Sequence, residues 1–373
     1  MKRRIDFRLL ILITLLLGLA AREIALELRP SFLRPGLHLF AYVANTGDGT
    51  VTAIDLVRLS PAATIPVGAG PTGIRAHPTR KEIWGLSSAG GYAWVLDAAT
   101  NQITGRISVG NAPYALDFSS DGSRAYVAAS ESNTVVAIDC ATRQVVARAR
   151  AGRRPWIARV SPDGKLLVVS NRDDATVSVL DASSLAIRAT IPVVSDPEQI
   201  AILPDGSKAF VTSGSRSQIS VVDLKRDALL ANLALDGAPD ALILKPDGGE
   251  LYIPSSNAHG LLIVNTQTNE VGDFLLLGMS PAAAALTADS ATLYVSDPDA
   301  GHIVPVSINI RQVARPISVG QDPRTCQLTP GDDILVVVET ASDELAIVRA
   351  KTSGLITLIP TGSHPRDLAI KVF

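Results

Sequence analysis

Arginines, carboxylates and one tryptophan flank a proline that recurs along the chain, and these residue types could hold an anion. Arg153, Arg154 and Trp156 surround Pro155. Guanidinium groups bind carboxylates and phosphates through paired hydrogen bonds, and an indole ring offers a stacking surface. The alternative is a solvated rim whose charges pair with one another, each pair contributing little. The candidate ligand-binding residues beside the recurring proline are Arg153, Arg154, Trp156, Glu198, Asp240, Arg324, His364 and Arg366.

The sequence lacks the motifs that zinc binding, serine-hydrolase catalysis and covalent haem attachment require. The five histidines show no HxH or HExxH spacing, which makes a zinc site improbable. The sequence also lacks GxSxG, SxxK and CxxCH, so it has neither a serine-hydrolase elbow nor a covalent haem attachment. We therefore assign no catalytic residue and no metal ligand, and we favour a non-catalytic protein.

The two cysteines, Cys140 and Cys326, do not indicate a disulfide. Each occupies a repeat position at which the other copies carry mostly apolar residues, and the two positions differ. Both are expected to be small buried hydrophobic residues.

The elements that position these side chains follow from an internal repeat of 42 residues, since Pro71 and Pro113 differ by that spacing. The proline is present in all eight copies, at Pro71, Pro113, Pro155, Pro197, Pro239, Pro281, Pro323 and Pro365. An aromatic residue or valine recurs in register, at Tyr42, Trp84, Tyr126, Val168, Phe210, Tyr252, Tyr294 and Val336.

Each repeat contains four short runs rich in Val, Ile, Tyr and Ala, separated by turn residues. Such runs predict a four-stranded antiparallel meander. One such sheet cannot bury both of its faces, so neighbouring sheets must stack, and this period is typical of propeller blades. The predicted fold is an all-β propeller of eight blades.

Two recurring residues are assigned to turns. The acid at the end of the third strand, as in Asp97 and Asp139, can accept hydrogen bonds from backbone N–H groups two or three residues later. A glycine three residues before the recurring proline, as in Gly68 and Gly110, is expected to adopt positive φ or to allow close packing of blades.

The phase of the repeats predicts how the ring closes. The first repeat begins at the Tyr42 strand, and Asp367 to Val372 supply the strand that it lacks. Pairing of these segments would remove the open edges of the sheet. We therefore expect one domain, 38–373, in which the loop around the proline lies on the face that opens to the central channel.

The amino terminus resembles an export segment. A basic start, Lys2 to Arg4, precedes the apolar run Leu9 to Ala21, which is too short to span a hydrocarbon core comfortably. Residues 1–21 are interpreted as a signal peptide or an uncleaved membrane anchor, and 22–37 as a tether. The expected location is periplasmic or at the cell surface.

Composition excludes two broad classes of protein. With 47% hydrophobic and 19% charged residues, the chain can bury a large core, so most of it is not intrinsically disordered. A formal net charge of −2 argues against a general nucleic-acid binder.

The segments Tyr42 to Asn45, Thr50 to Asp55 and Ile65 to Gly68, with turns such as Ser161 to Gly164, resemble the YVTN-type β-propeller repeat family of exported and cell-surface proteins. The resemblance covers roughly residues 38 to 373. It implies a scaffold fold with many roles and, since members typically have seven blades, leaves seven as the alternative blade number.

Two function hypotheses follow. The first is an exported, monomeric binding or scaffold module that presents its channel mouth to a protein, a glycan or a small anionic ligand, with no cofactor. The second is a propeller enzyme or cofactor carrier that resembles lactonases, quinoprotein dehydrogenases or d1-haem-binding propellers. A d1-haem carrier would need an axial histidine, for which His364 is the best-placed candidate and His77 a poor second.

Overall fold

The computed structural model describes residues 37–373 as an all-β ring of eight blades. The predicted segment 1–21 and nearly all of the tether 22–37 lie outside the described residues. Two short 3₁₀ helices, Arg172–Asp174 and Ala350–Thr352, accompany the strands. The predicted fold class is confirmed, with eight blades and not seven.

The strands are numbered in chain order, and each blade takes the number of its repeat. Blade 1 contains β1 (Leu39–Asn45), β2 (Thr50–Asp55), β3 (Ser60–Pro66) and, from the far end of the chain, β33 (Pro365–Val372). Blade 2 contains β4 (Pro71–Ala76), β5 (Glu82–Ser87), β6 (Tyr92–Asp97) and β7 (Gln102–Ser108); blade 3 contains β8 (Pro113–Phe118), β9 (Arg124–Ala129), β10 (Thr134–Asp139) and β11 (Gln144–Arg150). Blade 4 contains β12 (Pro155–Val160), β13 (Leu166–Asn171), β14 (Thr176–Asp181) and β15 (Ile187–Pro192); blade 5 contains β16 (Pro197–Ile202), β17 (Lys208–Ser213), β18 (Gln218–Asp223) and β19 (Ala228–Ala234).

The remaining blades are less regular. Blade 6 contains β20 (Ile243–Leu244), β21 (Glu250–Ser255), β22 (Gly260–Asn265) and β23 (Glu270–Leu276). Blade 7 contains β24 (Ala284–Leu286), β25 (Thr292–Asp297), β26 (His302–Ser307), β27 (Gln312–Val313) and β28 (Ile317–Ser318); blade 8 contains β29 (Pro323–Leu328), β30 (Ile334–Glu339), β31 (Glu344–Arg349) and β32 (Gly354–Pro360). In blade 7, Pro316 lies between β27 and β28 and has no N–H for the ladder, so the outer strand is split.

Closure of the ring matches the prediction. β33 pairs antiparallel with β1, from Leu39 opposite Val372 to Asn45 opposite Pro365. His38 and Phe373 extend the ladder by two backbone hydrogen bonds of 3.1 and 3.0 Å. Strands from both ends of the described residues therefore complete blade 1.

The core lies between blades. The described residues form eight buried apolar clusters, of which seven join two neighbouring blades and one spans blades 3, 4 and 5. The recurring aromatic position is buried in them, and several tyrosines also reach the next blade by a hydrogen bond. The hydroxyl of Tyr126 donates to the Ala182 carbonyl at 2.8 Å, and that of Tyr294 to the Ala350 carbonyl at 2.8 Å.

The recurring acid fixes its turn as predicted. Oδ1 of Asp97 accepts hydrogen bonds from the N–H groups of Ala99 and Thr100 at 2.8 and 2.9 Å. Asp139 makes the same pair of bonds to Ala141 and Thr142. The acid is therefore structural.

The loop before the recurring proline contains a conformation that the residue types did not indicate. Gly68 and Gly110 have positive φ, as expected, at 104° and 115°. In six blades the residue directly before the proline also lies in the left-handed region, which is costly without glycine. These residues are Gly70, Ala112, Arg154, Asp196, Asp322 and His364.

Both cysteines are free thiols. Cys140 is fully buried and Cys326 is partly buried, and burial raises the pKa of each thiol to about 12. Neither thiol is therefore ionised near neutral pH.

Candidate functional site

A cavity of about 620 Å³ opens at the face of the ring that carries the loops before the recurring prolines. Its walls come from the inner strands of blades 1 to 5 and 8 and from loops beside them. This volume is typical of small-molecule sites. The cavity is therefore the candidate site.

The inner strands of blades 1 to 4 give the channel wall alternating charges. Asp367, Arg75, Asp117 and Arg159 come from blades 1, 2, 3 and 4 in turn. Nη1 of Arg75 lies 3.7 Å from Oδ2 of Asp367. The two acids also tie strands together, because Oδ2 of Asp367 accepts the N–H of Ile74 and Oδ2 of Asp117 accepts the N–H of Val160.

Arg159 differs from these three residues. Among residues 37–373, its guanidinium has neither an ion pair within 4.0 Å nor a hydrogen bond. Burial lowers its pKa, while the Asp117 carboxylate opposes that change. Because an arginine stays protonated at neutral pH even so, Arg159 presents to the cavity a positive charge that Asp117 and Asp367 attract only from beyond ion-pair distance.

Two further arginines line the cavity nearer its mouth. Nε of Arg324 is 2.6 Å from Oδ1 of Asp322. Arg366 is exposed, and within the described part of the chain its side chain has no acidic partner. Arg159 and Arg366 thus supply two guanidinium groups that are free to pair with a ligand.

An aromatic pair lies beside the cavity, with one ring from blade 3 and one ring from blade 4. The rings of Tyr114 and Trp156 stack with their centroids 3.5 Å apart and an interplanar angle of 23°. Cζ of Arg172 lies 4.5 Å from the centroid of Trp156. Tyr114 lines the cavity, whereas Trp156 is held behind it.

Arg172 is fixed by the acids of blade 5. Its Nε is 2.6 Å from Oδ1 of Asp196, and its Nη2 is 2.9 Å from Oε1 of Glu198. The hydrogen bond that Arg172 donates to Asp196 raises the pKa of Arg172, and burial raises the pKa of Glu198 although Arg172 opposes that change. Glu198, one of the predicted ligand-binding residues, therefore holds this arginine together with Asp196.

Part of the predicted rim pairs internally. Nε of Arg153 lies 2.5 Å from Oδ1 of Asp174, and Nη1 of Arg154 lies 3.7 Å from Oδ1 of Asp173. On this side the observed contacts are those of a solvated rim. Exposed pairs of this kind contribute little to stability.

The other predicted rim residues differ in whether they line the main cavity. Asp240 accepts the N–H of Ser256 at 2.5 Å and borders a smaller pocket, which Arg324 also lines. His364 is exposed and its Nδ1 lies 2.9 Å from the Ser363 hydroxyl oxygen. Of the predicted residues, Arg324 and Arg366 line the main cavity, and Trp156 and Glu198 support it.

Sequence reasoning missed Arg75, Arg159, Arg172, Tyr114 and Asp367. The repeat contains the signal that could have found Arg172, since its seven counterparts are Thr46, Ser88, Ser130, Gly214, Ser256, Pro298 and Thr340. Arg159 belongs to a position four residues after the proline at which Ala201, Ile243, Ala285 and Ala369 are apolar.

The residue types of the site do not suit a metal or a haem iron. The cavity wall contains no histidine or cysteine among residues 37–373. His77 is fully buried at the turn after β4, where its Nε2 lies 2.9 Å from the Gly122 carbonyl oxygen. The described part of the chain has no group of three or more His, Cys, Asp or Glu residues that could hold a metal ion.

Comparison with known proteins supports the architecture. A family model described as YNCE-like beta-propeller matches residues 115–296. No curated protein sequence matches the chain. Within the described residues, no helix is long and apolar enough to cross a membrane.

Several solved structures are similar to this chain at low sequence identity. Dihydro-heme d1 dehydrogenase NirN in complex with DHE has a TM-score of 0.77 at 17% identity over 89% of this chain and 74% of that one. Apo AztD from Citrobacter koseri has a TM-score of 0.69 at 12% identity over 90% of this chain and 98% of that one. Hydrazine synthase from Kuenenia stuttgartiensis has a TM-score of 0.60 at 17% identity over 75% and 95% of the two chains. At these identities the likeness extends to the fold alone.

Proposed function

We propose that this propeller is a non-catalytic binding module that takes a small anionic ligand into its channel cavity. The observation that carries the proposal is the pair of guanidinium groups, on Arg159 and Arg366, that line the cavity with no acidic group of residues 37–373 within 4.0 Å of either. Arg159 is half-buried, and a charge in such a place is costly unless it is paired, whereas the exposed Arg366 is accessible to a ligand at the mouth. A carboxylate or phosphate supplies the missing partner through charge-assisted hydrogen bonds.

The charges around these two arginines favour an anion over a cation. Arg75, Arg159, Arg324 and Arg366 line the cavity, against the acids Asp322 and Asp367 in its lining and Asp117 on the channel wall beside it, which are three acids to four arginines. Asp322 and Asp367 each already face an arginine. The site therefore has a net positive charge before a ligand binds.

Two wider proposals accompany this one. We propose that the chain is a propeller of the YVTN repeat type, on the register of eight 42-residue repeats. We also propose export to the periplasm or cell surface, because residues 1–21 have the basic start and apolar run of an export segment.

A cofactor-carrier role is the second candidate, and one observation favours it. The large cavity beside stacked aromatic rings has room for a conjugated carboxylic acid, and NirN, which has a similar fold, is described in complex with DHE. The donor set favours the simpler proposal, since no histidine of the described chain lines the cavity as an axial ligand.

The test is calorimetric titration of the purified protein with phosphate, succinate, citrate and terephthalate. We expect at least one of these anions to bind, with an affinity that falls as salt rises. The double variant Arg159→Gln, Arg366→Gln should lower that affinity by about a hundredfold or more, because each lost charge-assisted hydrogen bond contributes about 1.5–3 kcal/mol.

Arg226→Gln is the matched control. Arg226 pairs with Asp223 at 3.1 Å on the turn after β18, on the opposite face of the ring. This variant should bind like the wild type. If the double variant also binds like the wild type, or if no anion binds to the wild type, the proposal is wrong.

A further inference from the structure

Trp156 was the predicted stacking surface, but its ring is covered on both sides. The ring centroid of Tyr114 lies 3.5 Å from the ring centroid of Trp156, and Cζ of Arg172 lies 4.5 Å from the Trp156 centroid. Two groups this close to one ring centre must occupy opposite faces, since they would otherwise overlap. A ligand cannot stack on Trp156 unless one of them moves.

Tyr114 is therefore the aromatic residue that remains available. One face of its ring rests on Trp156, and the residue lines the cavity. Its hydroxyl makes no hydrogen bond to any residue of 37–373. The side chain thus presents to the cavity both an aromatic surface and a hydroxyl donor.

The support behind Tyr114 is rigid. Arg172 is held by Asp196 at 2.6 Å and Glu198 at 2.9 Å, and its guanidinium packs on the face of Trp156 opposite Tyr114. Trp156 in turn fixes the plane of Tyr114. A planar surface that is ordered before binding loses little entropy when a ligand stacks on it.

The two free arginines lie at different depths beside this surface. Arg366 follows its proline by one residue, and Arg159 follows its proline by four. Three residues of a strand correspond to roughly 10 Å. The site can therefore engage two anionic groups at opposite ends of one ligand.

We propose that the ligand is a planar aromatic or conjugated compound with at least two anionic groups, which stacks on Tyr114 and pairs with Arg159 and Arg366. This inference rests on the proposed binding of small anions. It adds the requirement for a ring, which an inorganic anion or an aliphatic acid does not meet.

The test compares terephthalate with its ring-hydrogenated counterpart, a dianion of similar length without an aromatic face. Calorimetry on the wild type should give about two- to tenfold tighter binding of terephthalate, as expected for one aromatic stack. Tyr114→Leu should abolish this preference, while Tyr114→Phe, which keeps the ring, should retain it. Arg159→Gln should lower the affinity for both ligands by the same factor.

The outcomes separate the two proposals. Equal binding of both dianions, or a preference that survives in Tyr114→Leu, overturns the inference about the ring and leaves anion binding intact. Failure of every anion in the panel to bind overturns anion binding itself, and the inference with it.

Discussion

Glu339 ends the second strand of blade 8 as a fully buried carboxyl group. Neither of its oxygens has a hydrogen-bond partner in the described chain, and it faces Glu344 across the ladder. Burial, with smaller contributions from Glu344 and Asp322, raises its pKa from 4.5 to about 8. The equivalent residues of the other blades are smaller, namely Asn45, Ser87, Ala129, Asn171, Ser213, Ser255 and Asp297. Glu339 is therefore protonated in the folded protein at neutral pH.

This residue predicts a pH dependence of stability. The folded protein holds the Glu339 proton up to a pH of about 8, whereas the unfolded chain releases it near 4.5. The contribution of Glu339 to stability is therefore complete below pH 4.5 and is lost as pH rises towards 8. Glu339→Gln removes the titration, so the wild type should lose stability relative to the variant by up to about 1.4 kcal/mol per pH unit in this window.

The measurement is chemical denaturation of both proteins between pH 5 and pH 9, roughly the range in which the two states differ in protonation. Glu344→Gln is the control. Removal of the Glu344 charge should lower the pKa of Glu339, so the loss of stability should end at a lower pH but should still occur. Parallel stability curves for the wild type and Glu339→Gln would contradict the prediction.

At the scale of the elements, hydrogen bonds from the aromatic position hold neighbouring blades together. The hydroxyl of Tyr294 in β25 donates to the Ala350 carbonyl beyond β31 at 2.8 Å, and Tyr126 makes the same bond to Ala182. Each bond joins residues 56 positions apart, so it links a blade to the next one. The aromatic position therefore contributes polar contacts as well as apolar packing.

Tyr294→Phe should lower the free energy of unfolding by about 1 kcal/mol, because one buried hydrogen bond is lost while the ring stays in place. Denaturant titration of the variant measures this change. Tyr114→Phe is the matched control, because the Tyr114 hydroxyl has no partner in residues 37–373 and its loss should leave stability unchanged. Equal stability of Tyr294→Phe and the wild type would show that the bond contributes nothing.

For the whole molecule, stability depends on one ladder between the two ends of the described chain. β33 is the inner strand of blade 1, and its Asp367 also contacts blade 2 through the N–H of Ile74. Nζ of Lys371 donates to the His77 carbonyl at 2.5 Å, again in blade 2. Loss of β33 would open a sheet edge and expose two blade interfaces.

A chain that ends at residue 364 should therefore melt at a markedly lower temperature than the wild type and should associate in solution. Calorimetry and size-exclusion chromatography measure these effects. A permuted chain restores the strand: residues 365–373 precede 38–364, with a two-residue Asn-Gly turn between Phe373 and His38. Such a turn suits the two adjoining ends, which already exchange backbone hydrogen bonds.

The permuted chain should recover most of the wild-type melting temperature, because it keeps every strand and changes only the connection. If the truncated chain melts like the wild type, closure by β33 does not stabilise the ring.

The sequence by itself determined the architecture of this protein. The period of 42 residues, the proline and the buried aromatic position recur in every blade, and backbone hydrogen bonds and apolar burial act on each copy in the same way. The same logic correctly assigned the acids at Asp97 and Asp139 to turns and the last strand to ring closure. Repetition makes such features predictable, since each copy is an independent observation of one local structure.

Only the tertiary structure decided which charges line the cavity. Trp156 has a suitable side chain, but Tyr114 of β8 and Arg172 of the first 3₁₀ helix cover both of its faces, while Arg159 of β12 lines the cavity. Arg153 and Arg154 matched the chemistry equally well and pair with Asp174 and Asp173 instead. Pairing depends on distances between residues of different strands and blades, which are fixed when the ring closes and are not encoded in the spacing of a single repeat.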